Sequence, residues 1–97
     1  MAGPERSIEK SFVDWCKNTH KLVARKLREE KRNGFPDRSV ILPGGRIVCI
    51  EFKAPKGDLD SAQITRIAEL RADGVPVLVT SDLKEAKAWL LEQMNGD

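Results

Sequence analysis

The sequence predicts an α/β protein, a mixed sheet flanked by helices in the order α-β-β-β-α-β-α. Two observations carry that prediction. Apolar residues recur at helical spacing near both ends and once in the middle, with short apolar runs bounded by turn residues between them. The last of these runs, "VPVLVTS", follows a helical segment, which makes a strand–helix–strand unit with a right-handed crossover and parallel strands. At 97 residues the chain is expected to form one domain, 1–97. Hydrophobic residues make up 40% and charged residues 33%, which excludes the disordered and membrane-embedded classes. The apolar runs fall far short of the ~20 residues needed to cross a bilayer. The first residues, "MAGPERSIEK", contain no apolar stretch of a secretory signal.

The first helix is expected from about Glu5 to Asn18, where Ile8, Phe12, Trp15 and Cys16 recur at helical spacing and Pro4 suits the first turn. "HKLVARKL" reads as a strand that ends in the polar loop "REEKRNGFPD". "RSVIL" and "RIVCIEFK" are the next two strands, joined through "PGG" into a hairpin. "APKGDLD" breaks the pattern, and a second helix runs from about Ser61 to Ala72, stopped by Gly74. "VPVLVTS" is apolar throughout, as expected of a strand covered on both faces. The last helix runs from about Leu83 to Met94, with Leu83, Ala86, Leu90 and Met94 on one stripe. Cys16 and Cys49 fall on apolar positions and lack metal-ligand spacing, so both are expected as buried, reduced thiols.

Several polar groups sit where a core should be. Side chains alternate along a strand, so Val48, Ile50 and Phe52 share one face of the third strand, while Cys49, Glu51 and Lys53 share the other. The hairpin brings Asp37, before the second strand, beside Glu51 and Lys53 at the end of the third. Burying such charges is costly unless they are paired. The bland reading is a structural ion pair, Glu51 or Asp37 with Lys53 or Arg38. The functional reading is a site for a hard divalent cation, held by carboxylate oxygens, with the lysine placing water or neutralising a phosphate. Glu9 falls within the apolar arc of the first helix, with Glu5 a rival on a similar heading. It is either a rim carboxylate paired with a lysine such as Lys26, or a further acidic group of the metal site. Gln63 lies in the apolar arc of its own helix. It is either the partner of Asp60 in a capping box or a group that hydrogen-bonds water or a phosphate oxygen in the active site.

Net charge is only +2, but Lys21, Arg25, Lys26, Arg28, Lys31, Arg32 and Arg38 crowd one segment against Glu29, Glu30 and Asp37. Such an excess can collect phosphates, and a solvated loop of mixed charge fits it equally well.

The ordered set Glu9, Gly34-Phe35-Pro36-Asp37, Glu51-Phe52-Lys53 and Gln63 resembles the VRR-NUC domain, a branch of the PD-(D/E)xK nuclease superfamily. The likeness runs from the first helix to the second and is densest in "ILPGGRIVCIEFKAPKGDLDSAQ". Where the family often has Ser-Pro before the glutamine, this chain has Ser61-Ala62. The resemblance implies a restriction-endonuclease-like αβββαβα core. It implies Mg2+ or Mn2+ held by Asp37, Glu51 and the backbone carbonyl of Phe52, with Glu9 contributing through water. It implies Lys53 as the catalytic lysine, with Glu9 and Gln63 at the remaining motif positions. The stand-alone bacterial and phage versions that it resembles imply a cytoplasmic homodimer that cuts branched DNA such as Holliday junctions. Trp89, Leu90 and Leu91 of the last helix are a candidate interface, or else an intramolecular stripe. Lys26, Arg28, Lys31, Arg32 and Lys56 are the candidate DNA contacts. Rival readings are a nickase or flap nuclease, and a non-catalytic DNA-binding or assembly subunit of the same fold.

Overall fold

The computed structural model describes residues 4–26 and 34–96. The element order is α1 (Pro4–His20), β1 (Ala24–Arg25), β2 (Arg38–Ile41), β3 (Ile47–Phe52), α2 (Ser61–Ala72), β4 (Val77–Thr80) and α3 (Leu83–Asn95). This is the expected order. The strands form one mixed sheet in the order β1-β2-β3-β4. β1 and β2 are antiparallel, β2 and β3 are antiparallel, and β3 and β4 are parallel, as the crossover through α2 requires. Among the described residues no helix is long and apolar enough to cross a membrane.

The expected strand "HKLVARKL" is corrected at both ends. α1 continues to His20, and Lys21 then takes a left-handed conformation (φ 58°) with its N–H donating to the Lys17 carbonyl at 3.1 Å, which closes the helix. Among the described residues only Ala24 and Arg25 pair with β2 from this side, opposite Val40 and Ser39. The apolar residues Leu22, Val23 and Ala24 fit a longer strand, but Leu22 serves the turn, its N–H donating to Cys16 O at 2.9 Å. Leu27 lies outside the described residues. The hairpin is as expected. Gly45 N–H donates to Leu42 O at 2.9 Å across a turn with Pro43 and then Gly44 (φ 93°) at its centre, the Pro-Gly order of a type II turn.

Alternation along β3 divides the core. Val48, Ile50 and Phe52 face α1 and α3 and pack with Phe12, Cys16, Ala86 and Leu90. Phe12 lies in tilted contact with Phe52, ring centroids 5.5 Å apart. Cys49 faces the other way and packs with Ile67 of α2 and Val77. Both cysteines are buried and free, as expected. β4 does contribute to both layers, Leu78 to the first and Val79 to the second, but both are only half-buried because β4 is an edge strand.

Leu90 has no exposed surface, Trp89 packs on the same core, and only Leu91, 39% exposed, points outward. The stripe of α3 is therefore intramolecular, and Leu90 is removed from any interface. Leu90→Ala is expected to cost about 2–5 kcal/mol in urea unfolding, while Leu91→Ala stays within about 0.5 kcal/mol of the wild type. Equal losses would place Leu91 against something in solution.

Candidate active site

Asp37 and Glu51 meet where β2 begins and β3 ends. The last ladder partners there are Arg38 and Ile50. One position further out the side chains take over: Asp37 N–H donates to Glu51 Oε1 at 3.1 Å, and Phe52 N–H donates to Asp37 Oδ2 at 2.8 Å. Each carboxylate thus accepts an N–H from the other strand, and the two are fixed against one another.

Glu51 has a third anchor. Gln63 Nε2 donates to its Oε2 at 2.8 Å. The same Gln63 also closes a capping box: its Oε1 accepts from Asp60 N–H at 2.8 Å, and its own N–H donates to Asp60 Oδ1 at 2.8 Å. The capping-box reading of Gln63 is realised, and the other end of its amide holds Glu51. The start of α2 therefore fixes the far side of Glu51.

The loop before Asp37 is docked on the same helix. Gly34 adopts φ 90°, and a Cβ there would lie 2.2 Å from the Ala62 carbonyl oxygen. Phe35 sits under the guanidinium of Arg66 at 5.1 Å, and Pro36 is buried. Glycine is thus required by close approach of two backbones. In the sequence Gly34 and Phe35 stand only as motif residues, and this task becomes visible once α2 lies beside the loop.

Glu9 projects from α1 onto the opposite face of the sheet. Its Oε2 accepts from Arg38 Nε at 2.6 Å, with the two side chains 18% and 19% exposed, and Arg38 Nη1 also donates to Ala24 O at 3.0 Å. Glu9 is paired with an arginine of β2 rather than with Lys26. Arg38 was legible only as a possible partner of Asp37 or Glu51, yet its strand position gives the answer. It alternates to the Val40 face, which α1 covers. No third acidic, histidine or cysteine side chain among the described residues completes a metal-sized cluster with the pair.

Lys53 follows β3 directly. It is half-buried, and its N–H donates to Thr80 O at 2.9 Å. Among the described residues its ammonium makes no ion pair with Asp37 or Glu51, so neither of the structural pairs considered for them is formed. Lys26 and Lys56 are exposed, while Arg28, Lys31 and Arg32 lie outside the described residues.

The electrostatics follow from this packing. Glu51 is only 4% exposed. Burial above all, and then the negative charge of Asp37, push its carboxyl up to about 7, against the backbone bond from Asp37. Asp37 is also raised, chiefly by burial and further by Glu9, while the Phe52 N–H, Arg38 and Lys26 pull it down. The two carboxylates, Glu51 buried and Asp37 half-buried, therefore stand close together, and Asp37 Oδ1 accepts no protein hydrogen bond among the described residues. Hard oxygen donors with uncompensated charge fit a divalent cation that keeps part of its water shell.

Comparison with known proteins agrees with this geometry. No family model matches the chain. A protein of Acyrthosiphon pisum secondary endosymbiont phage 1, "Putative nuclease p44", is 39% identical over 75 residues, 77% of this chain and 80% of that protein. A solved VRR_NUC domain superposes with a TM-score of 0.78 at 29% identity, covering 92% of this chain and 96% of that one. The chain belongs to the VRR-NUC family. Its αβββαβα core is of the restriction-endonuclease-like type, and nucleases of this type generally depend on divalent metal.

Two outcomes follow. Below about pH 4.5 the Glu51 proton is present in both folded and unfolded chains. Between 4.5 and about 7 only the folded chain retains it, so stability falls as pH rises through that window. In EDTA, unfolding free energy should drop by an amount on the order of a few kcal/mol from about pH 5 to pH 8, and Glu51→Gln should flatten that slope. An unchanged slope in the variant would remove Glu51 as the cause. Gly34→Ala should cost about 1–3 kcal/mol or more by urea unfolding, since it adds a clash with Ala62 to a strained φ. Gly44→Ala meets only open space and should cost strain alone.

Proposed function

We propose that the chain is a divalent-metal-dependent endonuclease of branched DNA, acting as a homodimer with a Holliday junction as its favoured substrate. The observation that carries the reading is the locked pair of half-buried Asp37 and buried Glu51 at the end of β3, in a chain similar to a VRR_NUC domain and to a phage putative nuclease.

Asp37, Glu51 and the Phe52 carbonyl would hold Mg2+ or Mn2+, with Glu9, ion-paired to Arg38, contributing only a hydrogen bond through water. The cation, when bound, supplies Lewis-acid charge that acidifies water and draws density from the phosphate. Lys53 places the attacking water and balances charge on the phosphate. Gln63 keeps Glu51 in position through its Nε2. The water oxygen gives up a proton to solvent and bonds to phosphorus in line with the departing sugar oxygen, the phosphorus–oxygen bond to that sugar breaks, and the leaving oxygen takes a proton from solvent. Lys26 and Lys56, with Arg28, Lys31 and Arg32, contact backbone phosphates, which gives salt-dependent affinity with little base preference.

The homodimer is supported by apolar residues left exposed among the described residues. Ile41 and Ile47, 47% and 43% exposed, are paired across β2 and β3, and Val23, 53% exposed, directly precedes β1. A two-fold axis would pair two active sites for cuts in two strands. The working compartment is the cytoplasm of a bacterial or phage-infected cell, where such DNA is found.

The test is cleavage of junction, flap, nicked and linear DNA with Mg2+ or Mn2+. Lys53→Ala should slow cleavage by about 10²-fold or more, and EDTA should abolish it. Symmetric nicks in a four-way junction support the resolvase, whereas preferred cutting of flaps or nicks moves the assignment to those substrates. Undiminished cleavage by Lys53→Ala would overturn the assignment of that lysine. No cleavage of any substrate by the wild type would favour the non-catalytic DNA-binding reading.

A further inference from the structure

A cavity of about 280 Å3 opens beside the active site on the α1 side, lined by Arg6, Glu9, Lys10, Val13, Lys26 and Arg38. Four of these six side chains are cationic and one is a carboxylate, and that carboxylate is already neutralised by Arg38 at 2.6 Å. A cavity with this balance attracts anions.

Its donors are prepared to different degrees. Arg38 is fixed by bonds to Glu9 and to Ala24 O, which use two of the five N–H donors of a guanidinium. The remaining three have no protein partner among the described residues. A planar fork held in place with free donors suits bidentate contact with phosphate oxygens. Lys10 is paired with Asp14 at 2.8 Å, but both side chains are largely exposed, at 79% and 53%. Such a pair is worth little, so the ammonium can exchange Asp14 for a phosphate. Arg6 and Lys26 are exposed.

The cavity adjoins the carboxylate pair through the chain itself, since Arg38, which lines it, directly follows Asp37. An anion in the cavity would therefore lie one residue along the chain from Asp37, on the α1 side of the sheet. The sequence places phosphate contacts on the segment from Lys26 to Arg32 and on Lys56. The cavity adds α1 and the first residue of β2, namely Arg6, Lys10 and Arg38.

We propose that this cavity binds a backbone phosphate of the DNA strand beside the scissile one, with Arg38 as the oriented fork and Arg6 and Lys10 as supporting cations. The proposal rests on DNA being the substrate. Glu9 then acts as a positioning residue for Arg38, whatever it contributes through water to the cation.

The test is equilibrium binding of a fluorescein-labelled DNA duplex to the full chain in EDTA across a salt series, so that no cleavage occurs. Arg6→Ala/Lys10→Ala keeps good helix formers at two exposed positions, and α1 should persist. The double variant should bind roughly tenfold more weakly, and the slope of log affinity against log salt should shrink by about 0.9 for each phosphate that is no longer neutralised. Arg46→Ala is the control, an exposed cation roughly 17 Å along β3 from Glu51, and it should leave the slope unchanged. Arg38→Lys keeps the charge and removes the fork, so it should weaken binding with little change in slope. If the double variant binds like the Arg46→Ala control, or if the wild type fails to bind duplex at all, the proposal is overturned. The nuclease reading is judged separately by cleavage with metal. A wild type that cuts DNA while the double variant binds normally refutes the cavity alone. Loss of binding in the double variant of a chain that never cuts supports the cavity and refutes the nuclease.

Discussion

Two hydrogen bonds at the end of the hairpin set the terms for everything near them. Asp37 N–H to Glu51 and Phe52 N–H to Asp37 extend the β2–β3 ladder by one step after its last backbone pair, with carboxylate oxygens standing where carbonyl oxygens would be. A carbonyl in that place would be neutral. A carboxylate brings charge, and here a buried one, Glu51, and a half-buried one, Asp37, stand together. Loss of solvent above all raises both carboxyl groups above their ordinary range, and the charge of Asp37 raises Glu51 further. The fold thus stores an electrostatic cost at one strand end that a bound cation would relieve.

The surrounding elements keep that arrangement from relaxing. On one side of the sheet α2 begins at a capping box whose glutamine also grips Glu51, so moving the carboxylate would uncap the helix. The Gly34–Pro36 segment rests on the same helix and delivers Asp37 to its place. On the other side α1 contributes Glu9, and Arg38 ties that helix to β1 and β2. The site is wedged between the two helical layers, and its rigidity comes from both.

The cores set this end of the sheet, with the candidate site, apart from the hairpin end. Phe12, Phe52, Val40 and Leu90 pack one layer tightly, while α2 covers only the β3–β4 half of the other. Val23, Ile41 and Ile47 are left uncovered on that second face toward the hairpin end. Charged groups cluster at one end of the sheet, and exposed apolar groups lie toward the other.

By itself the sequence determined the element order, the faces of β3, the hairpin and the convergence of Asp37 with Glu51. These follow from local periods and turn residues, and alternation along a strand leaves little freedom once the pairing is known. It placed Glu9 and Gln63 among apolar neighbours correctly, because helical spacing is also local. Only the tertiary structure decided what those side chains touch. Glu9 chose Arg38, Gln63 served the cap and Glu51 together, and Gly34 met Ala62, since each contact depends on how two elements distant in sequence are set against one another. The same reason explains the end of α1 and the shortness of β1. A few apolar residues after a helix fit a strand equally well, and what settled the start of β1 was the left-handed turn at Lys21 that ends α1.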